Sequence, residues 1–179
     1  MKIMVLNGSA TKQSHTRGLS KAFIEALSSE QVELLTFDVG IDMLPIFTGS
    51  PEDREHPAVR KLQSYAEQAD GFVITTPEYH NSMSGALKNA LDYLGGRQFK
   101  GKPVVIGAAA GGGKGGINAL NSLRQVLRGV YALVLPDQIV SDPDQHDEKA
   151  DLVQWDALER VNGIAAELQR VTKLLSAGR

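Results

Sequence analysis

The 179-residue chain contains no cysteine, which excludes disulfides, a thiolate nucleophile and cysteine-ligated zinc or iron–sulfur centres. It has no apolar run near the ~20 residues that cross a bilayer. The apolar run at residues 3–6 stops at Asn7 and Gly8, too short for a signal-peptide core, so the expected location is the cytoplasm, with no membrane partner. There is no excess of either charge: 19 Lys and Arg stand against 21 Asp and Glu. That balance argues against nucleic acid as a partner, and equally against the acidic surface of a carrier that docks on basic proteins. Four histidines, at 15, 56, 80 and 146, have no metal-ligand spacing, so no metal site is expected.

What is present is an ordinary globular composition, 42% hydrophobic and 22% charged, on a chain suited to one well-buried core. We therefore expect a single domain over 1–179. Apolar runs of strand character at 2–6, 32–37, 71–75, 103–110 and 131–135 alternate with helical patterns, and no repeat interrupts them. One helix carries Leu19, Ala22, Phe23, Ala26 and Leu27 on one face; another is expected over 58–69 and a third from about Ser84, a plausible N-cap. Ile117, Leu120, Leu123 and Leu127 mark a fourth, and a last helix over 151–175 places Leu152, Trp155, Leu158, Val161, Ile164 and Leu168 on a broad stripe. Pro77 reads as the end of the third strand, and the acid-rich stretch 136–149 as a solvated loop. The alternation implies an α/β three-layer sandwich, with a five-stranded parallel sheet in order 2-1-3-4-5 and helices on both faces.

Three loops carry chemistry. Residues 7–17, NGSATKQSHTR, place the hydroxyls of Ser9, Thr11, Ser14 and Thr16 with Lys12 and Arg17 just before a helix N-terminus. Unpaired N–H groups and the positive end of the helix dipole suit a phosphate there, although Ser14 or Thr16 as a simple cap would explain one of the four hydroxyls. Residues 77–94, PEYHNSMSGALKNALDYL, offer a carboxylate, a phenol, an imidazole and an amide in succession where a strand ends. Residues 111–116, GGGKGG, satisfy G-x-G-x-x-G, but on the fourth strand, where only one strand remains to follow; this is a weak dinucleotide signal. A Walker A motif fails because Gly115 follows Lys114 and Ala108 occupies the first glycine position. Met43, Leu44, Ile46 and Phe47 follow no helical or strand period, which suits a substrate mouth, a subunit interface or simple packing. In the inferred strand order the three loops share the carboxyl edge at the topological switch point, where such sheets bind ligands. A phosphate, a ribityl chain and a flat ring fit them in turn, which describes FMN.

Together, the segments 7–17, 77–94 and 110–132 resemble the NADPH-dependent FMN reductase family, a flavodoxin-like group, and within it the FMN-dependent NADPH azoreductases. The resemblance implies cofactor contacts from Ser9, Thr11, Ser14, His15, Thr16 and Arg17 at the phosphate end. Pro77, Glu78, Tyr79 and His80 would meet the ring and ribityl chain, and Gly111, Gly112, Gly113, Lys114 and Gly115 would approach from the other side. Lys114 is a candidate for a cofactor phosphate or the NADPH 2′-phosphate, although an exposed lysine in a glycine loop often binds neither. The wider family commonly has Arg where Thr11 stands, Asn at His80, Pro at Ser84 and Ser at Ala110. The implied activity is ping-pong transfer of hydride from NADPH, with NADH as the alternative donor, through FMN to azo dyes, quinones or similar electron-poor acceptors. No protein group is expected to be catalytic, because the flavin carries the electrons. The resemblance further implies a homodimer or homotetramer, with the helix over 86–94 as an interface candidate. Two rival readings share the flavin site: a non-catalytic electron carrier of the flavodoxin type, and a flavin-binding regulatory protein.

Overall fold

The structure, a computed structural model, describes residues 1–111 and 115–176. Strands β1 (Lys2–Asn7), β2 (Glu33–Asp38), β3 (Gly71–Tyr79), β5 (Pro103–Ala109) and β6 (Leu133–Ser141) form a parallel sheet in the order β2-β1-β3-β5-β6. The two-residue β4 (Ser82–Met83) adds an antiparallel pairing to β3 that the sequence pattern did not suggest.

Alternate residues of the inner strands face opposite cores, which is why these strands read as continuous apolar runs. Met4 and Leu6 of β1, Phe72 and Ile74 of β3, and Val104 and Ile106 of β5 pack with helices α2 (Pro57–Gln68), α3 (Gly85–Asp92) and α5 (Ile117–Gly129). Ile3, Val5, Val73 and Val105 pack on the other face with α1 (His15–Leu27) and α6 (Trp155–Ser176). A short helix, α4 (Gly96–Phe99), closes the crossover into β5 and buries Phe99 against Phe72.

Three expectations need correction. Pro77 does not end β3: the strand continues to Tyr79, with Pro77 opposite Ala109. The last β1 partner on β3 is Thr75, so beyond it the proline stands where one flank of the strand is already vacated. The last strand runs to Ser141 rather than ending at Leu135, because the register jumps from Val104↔Val134 to Ile106↔Gln138 and the bulge absorbs Pro136 on an edge strand. The last helix begins at Trp155, not near 151; Trp155 is 71% exposed and lies off the stripe formed by Val161, Ile164, Ala165 and Leu168.

Candidate active site

β1 and β3 deliver their following segments to one edge of the sheet, and those segments are stitched together there. The Gly8 N–H donates to the Thr75 carbonyl at 2.8 Å, and the Ser84 hydroxyl donates to the Gly8 carbonyl. Glycine is required at position 8, since a Cβ there would lie 2.6 Å from the Thr75 oxygen. Ser84 also accepts the Leu87 N–H at 3.0 Å and so caps α3 as expected, while its own N–H is held by the Thr76 hydroxyl.

Between these segments lies an open cavity of about 400 Å³. Ser9, Thr11, Ser14, His15 and Thr16 line one end; Pro77, Glu78, Tyr79, Ala109, Ala110 and Gly111 line the other. The structure thus brings together nine of the residues singled out from the three loops, Gly111 among them, with Tyr79 and Thr11 meeting across the cavity at 3.3 Å between their hydroxyl oxygens.

The first end offers donors from the loop after β1 and the start of α1, faced by the Asp147 and Glu148 carboxylates. Ser14 is the N-cap of α1, accepting the Arg17 N–H at 3.2 Å, and Ser9 accepts the Thr11 N–H at 3.3 Å, so each hydroxyl proton is free to donate outward. Thr16 is 2% exposed, and its hydroxyl has no partner among the described residues. The N–H groups of His15 and Thr16 in the first turn of α1 likewise have none among them. This donor set, at the positive end of a 13-residue helix, fits a phosphate. It therefore also fits the phosphate end of FMN.

Arg17 does not join it. Its guanidinium turns away to Asp38 and to the carbonyls of Thr11 and Lys12, so it shapes the loop from behind. His80 is also absent from the cavity lining. His80 and Asn81 sit at φ 50° and 63° as the two central residues of the β3–β4 hairpin, a left-handed pair that such two-residue turns require. The Glu78 carboxylate accepts the Ala119 N–H at 2.9 Å and supplies the cap that Gly116 cannot give α5. Gly115 packs under Ala110 and Gly111, away from the lining. Gly112, Gly113 and Lys114 lie outside the described residues.

Gln13, Ala109, Ala110, Asp147, Glu148 and Ala150 also line the cavity and were not anticipated. Gln13 lay within the loop already marked as polar and was open to discovery. The acids were not, because their place depends on a tertiary contact between the segment after β6 and the start of α1. Among the described residues no group of three or more His, Asp or Glu is arranged to hold a metal ion, and no helix is long and apolar enough to cross a membrane.

The fold is that of a flavodoxin-like α/β protein with an open cavity at the carboxyl edge of a parallel sheet. A family model for NADPH-dependent FMN reductase matches residues 1–147, and the chain belongs to that family. It is 44% identical over 169 residues to an NADPH azoreductase of Bacillus sp. (strain OY1-2), covering 94% of this chain and 91% of that one. It is 34% identical over 146 residues to the FMN-dependent NADPH-azoreductase of Staphylococcus aureus, covering 79% and 77% respectively. In fold it matches the flavoenzyme NAD(P)H:(acceptor) oxidoreductase FerB of Paracoccus denitrificans, with a TM-score of 0.76 at 21% identity, over 98% of this chain and 97% of that one. It also matches an FMN-dependent NADH-azoreductase of Bacillus anthracis in complex with FMN, with a TM-score of 0.69 at 14% identity, over 94% and 99%.

Proposed function

We propose that the chain is an FMN-dependent oxidoreductase that takes hydride from NADPH and passes reducing equivalents to azo compounds, quinones or similar electron-poor acceptors, with 1–179 acting as one FMN-binding domain. The observation that carries this reading is the polarity of the cavity: donors of α1 without a partner among the described residues at one end, and at the other a wall of Pro77, Ala109, Ala110 and Gly111 with Tyr79 beside it. The family match and the azoreductase relatives support the same reaction class.

In this reading Ser9, Ser14 and Thr16 donate to the phosphate together with the N–H groups of His15 and Thr16. Each donor to a charged group contributes about 1.5–3 kcal/mol. Pro77 and residues 109–111 present a wall without bulky side chains, along which a flat ring is held. Bound FMN would supply the hydride transfer itself. Tyr79, half exposed at the cavity mouth, is positioned to stack on an incoming aromatic donor or acceptor.

The exposed apolar side chains of Ile41, Met43 and Ile46, on the loop after β2, support a homo-oligomer, and we place them at the contact between copies. A near-neutral net charge supports small diffusible partners in the cytoplasm rather than nucleic acid or a lipid surface. Steady-state turnover of FMN-reconstituted protein tests the reading. Double-reciprocal plots in NADPH should be parallel at several fixed concentrations of an azo dye or a benzoquinone. No turnover with free NADPH would contradict it.

A further inference from the structure

Residues 142–151, the larger part of the segment joining β6 to α6, do not spread into solvent. They are fastened to the start of α1 at four points. Gln13 Nε2 donates to the Glu148 carbonyl at 2.7 Å, and the His146 ring stacks on His15 with centroids 4.5 Å apart. Gly18 lets Ala150 approach so closely that a Cβ would lie 1.9 Å from the Ala150 oxygen, and Lys21 pairs with Asp151 at 2.7 Å.

The segment also holds its own shape. Asp147 Oδ1 accepts the N–H groups of Lys149 and Asp151, both at 2.9 Å, and the Ala150 N–H donates to the Asp147 carbonyl at 2.9 Å. Ala150 takes a φ of 67° to complete this turn. Asp147, Glu148 and Ala150 thereby become cavity wall at the same end as Ser14, His15 and Thr16. Among the described residues the Glu148 carboxylate has no hydrogen-bonded or ion-paired partner.

We propose that residues 142–151 form a selectivity strap that admits a flavin ending in one terminal phosphate and rejects a pyrophosphate-linked flavin dinucleotide. The proposal rests on the flavin reading above. A phosphate held by the first turn of α1 stands against main chain fastened by Gln13 and the Lys21–Asp151 pair. FMN stops there. FAD carries a second phosphate, a ribose and an adenine on that same oxygen, and these must pass the strap. The strap would have to lift off α1, and the second phosphate would then meet Glu148 and Asp147, two carboxylates where a pyrophosphate site needs cations. Specificity of this kind comes from repulsion and closure rather than from an added attraction.

The test is the ratio of FMN to FAD affinity, measured by quenching of flavin fluorescence with apoprotein. The wild type should favour FMN by about thirtyfold, the combined scale of one lost hydrogen bond and one lost surface ion pair. Glu148→Gln removes an exposed charge that has no partner among the described residues, without touching the core, and should narrow that ratio by about fivefold, since the charge is screened. Lys21→Met with Asp147→Ala loosens the strap from both sides and should narrow it by about tenfold. Near-ultraviolet circular dichroism of each variant verifies the fold. Equal wild-type affinity for FMN and FAD, or a ratio unchanged in both folded variants, would overturn the strap while leaving the flavin site standing. Failure of the wild type to bind either flavin would overturn the flavin reading itself.

Discussion

The guanidinium of Arg17 lies along the carboxylate of Asp38, with Nε 2.7 Å from Oδ2 and Nη2 3.0 Å from Oδ1. Both side chains are largely covered, and Arg17 reaches on to the Thr11 and Lys12 carbonyls. The pair ties the donor loop after β1 to the end of β2, so Arg17 contributes to the phosphate end through loop shape rather than charge. Burial pushes the Asp38 carboxyl up, but the hydrogen bonds from Arg17, the Gly40 N–H and Asn7 outweigh it and hold the group below the usual carboxylate range.

Arg17→Met and Asp38→Asn should each cost about 1–3 kcal/mol of stability, and the double variant little more than either, because both remove the same contact. Arg17→Lys should not restore the loss, since an ammonium cannot reproduce the fork. A double-mutant cycle in urea measures the coupling; strictly additive losses would show that the two residues act separately. With Asp38 depressed in the folded state, its contribution is fully present above the ordinary value of ~3.9 and is lost as pH falls through the folded pKa.

Thr16→Ala should lower FMN affinity by about ten- to a hundredfold, with only the small loss of stability due to its buried methyl, because the hydroxyl it removes has no partner within the described protein. Thr16→Ser should retain binding. Titration of apoprotein with FMN decides; unchanged affinity in Thr16→Ala would remove the residue from the phosphate end.

Glu78 belongs to β3 yet caps α5. Glu78→Ala should cost about 0.5–2 kcal/mol, the usual loss for a helix N-cap, and Glu78→Gln less, because an amide oxygen still accepts the Ala119 N–H. Thermal melts of the two variants check the order; equal stability of Glu78→Ala and wild type would contradict the cap.

His146 titrates low. Burial pushes its imidazole below the ordinary range, the hydrogen bond to the Asp142 carbonyl opposes that, and the neighbouring His15 adds to it. The folded ring takes up a proton less readily than the unfolded chain, which does so near the ordinary histidine value of ~6.5. Stability from this group is therefore complete above ~6.5 and declines as pH falls toward the folded pKa. His146→Phe should flatten the melting temperature between pH 7.5 and 5, ranges chosen about the ordinary histidine value. An unchanged slope would assign the acid sensitivity elsewhere.

Much of this architecture was legible because inner parallel strands are apolar on both faces: β1, β3 and β5 stood out as runs, and Ser84 announced α3. The gathering of Ser9, Ser14, Thr16 and Pro77 at one cavity followed from strand order alone. What escaped notice depended on distant partners. Arg17 looked like a phosphate ligand until Asp38, on the neighbouring strand, was seen to occupy it. Asp147 and Glu148 looked like solvated charge because nothing local reveals that Gly18 and Gln13 draw their segment onto α1. Pro136 looked like a strand end because a bulge on an edge strand leaves no periodic trace.

The most direct test is an anaerobic visible spectrum of the FMN-reconstituted protein before and after addition of NADPH, with NADH in a parallel cuvette. Rapid bleaching of bound flavin by NADPH is the predicted result. Bound flavin that stays yellow with both donors would contradict a nicotinamide-driven reductase and leave a carrier or a regulator, and absence of any retained flavin would contradict the cavity assignment itself.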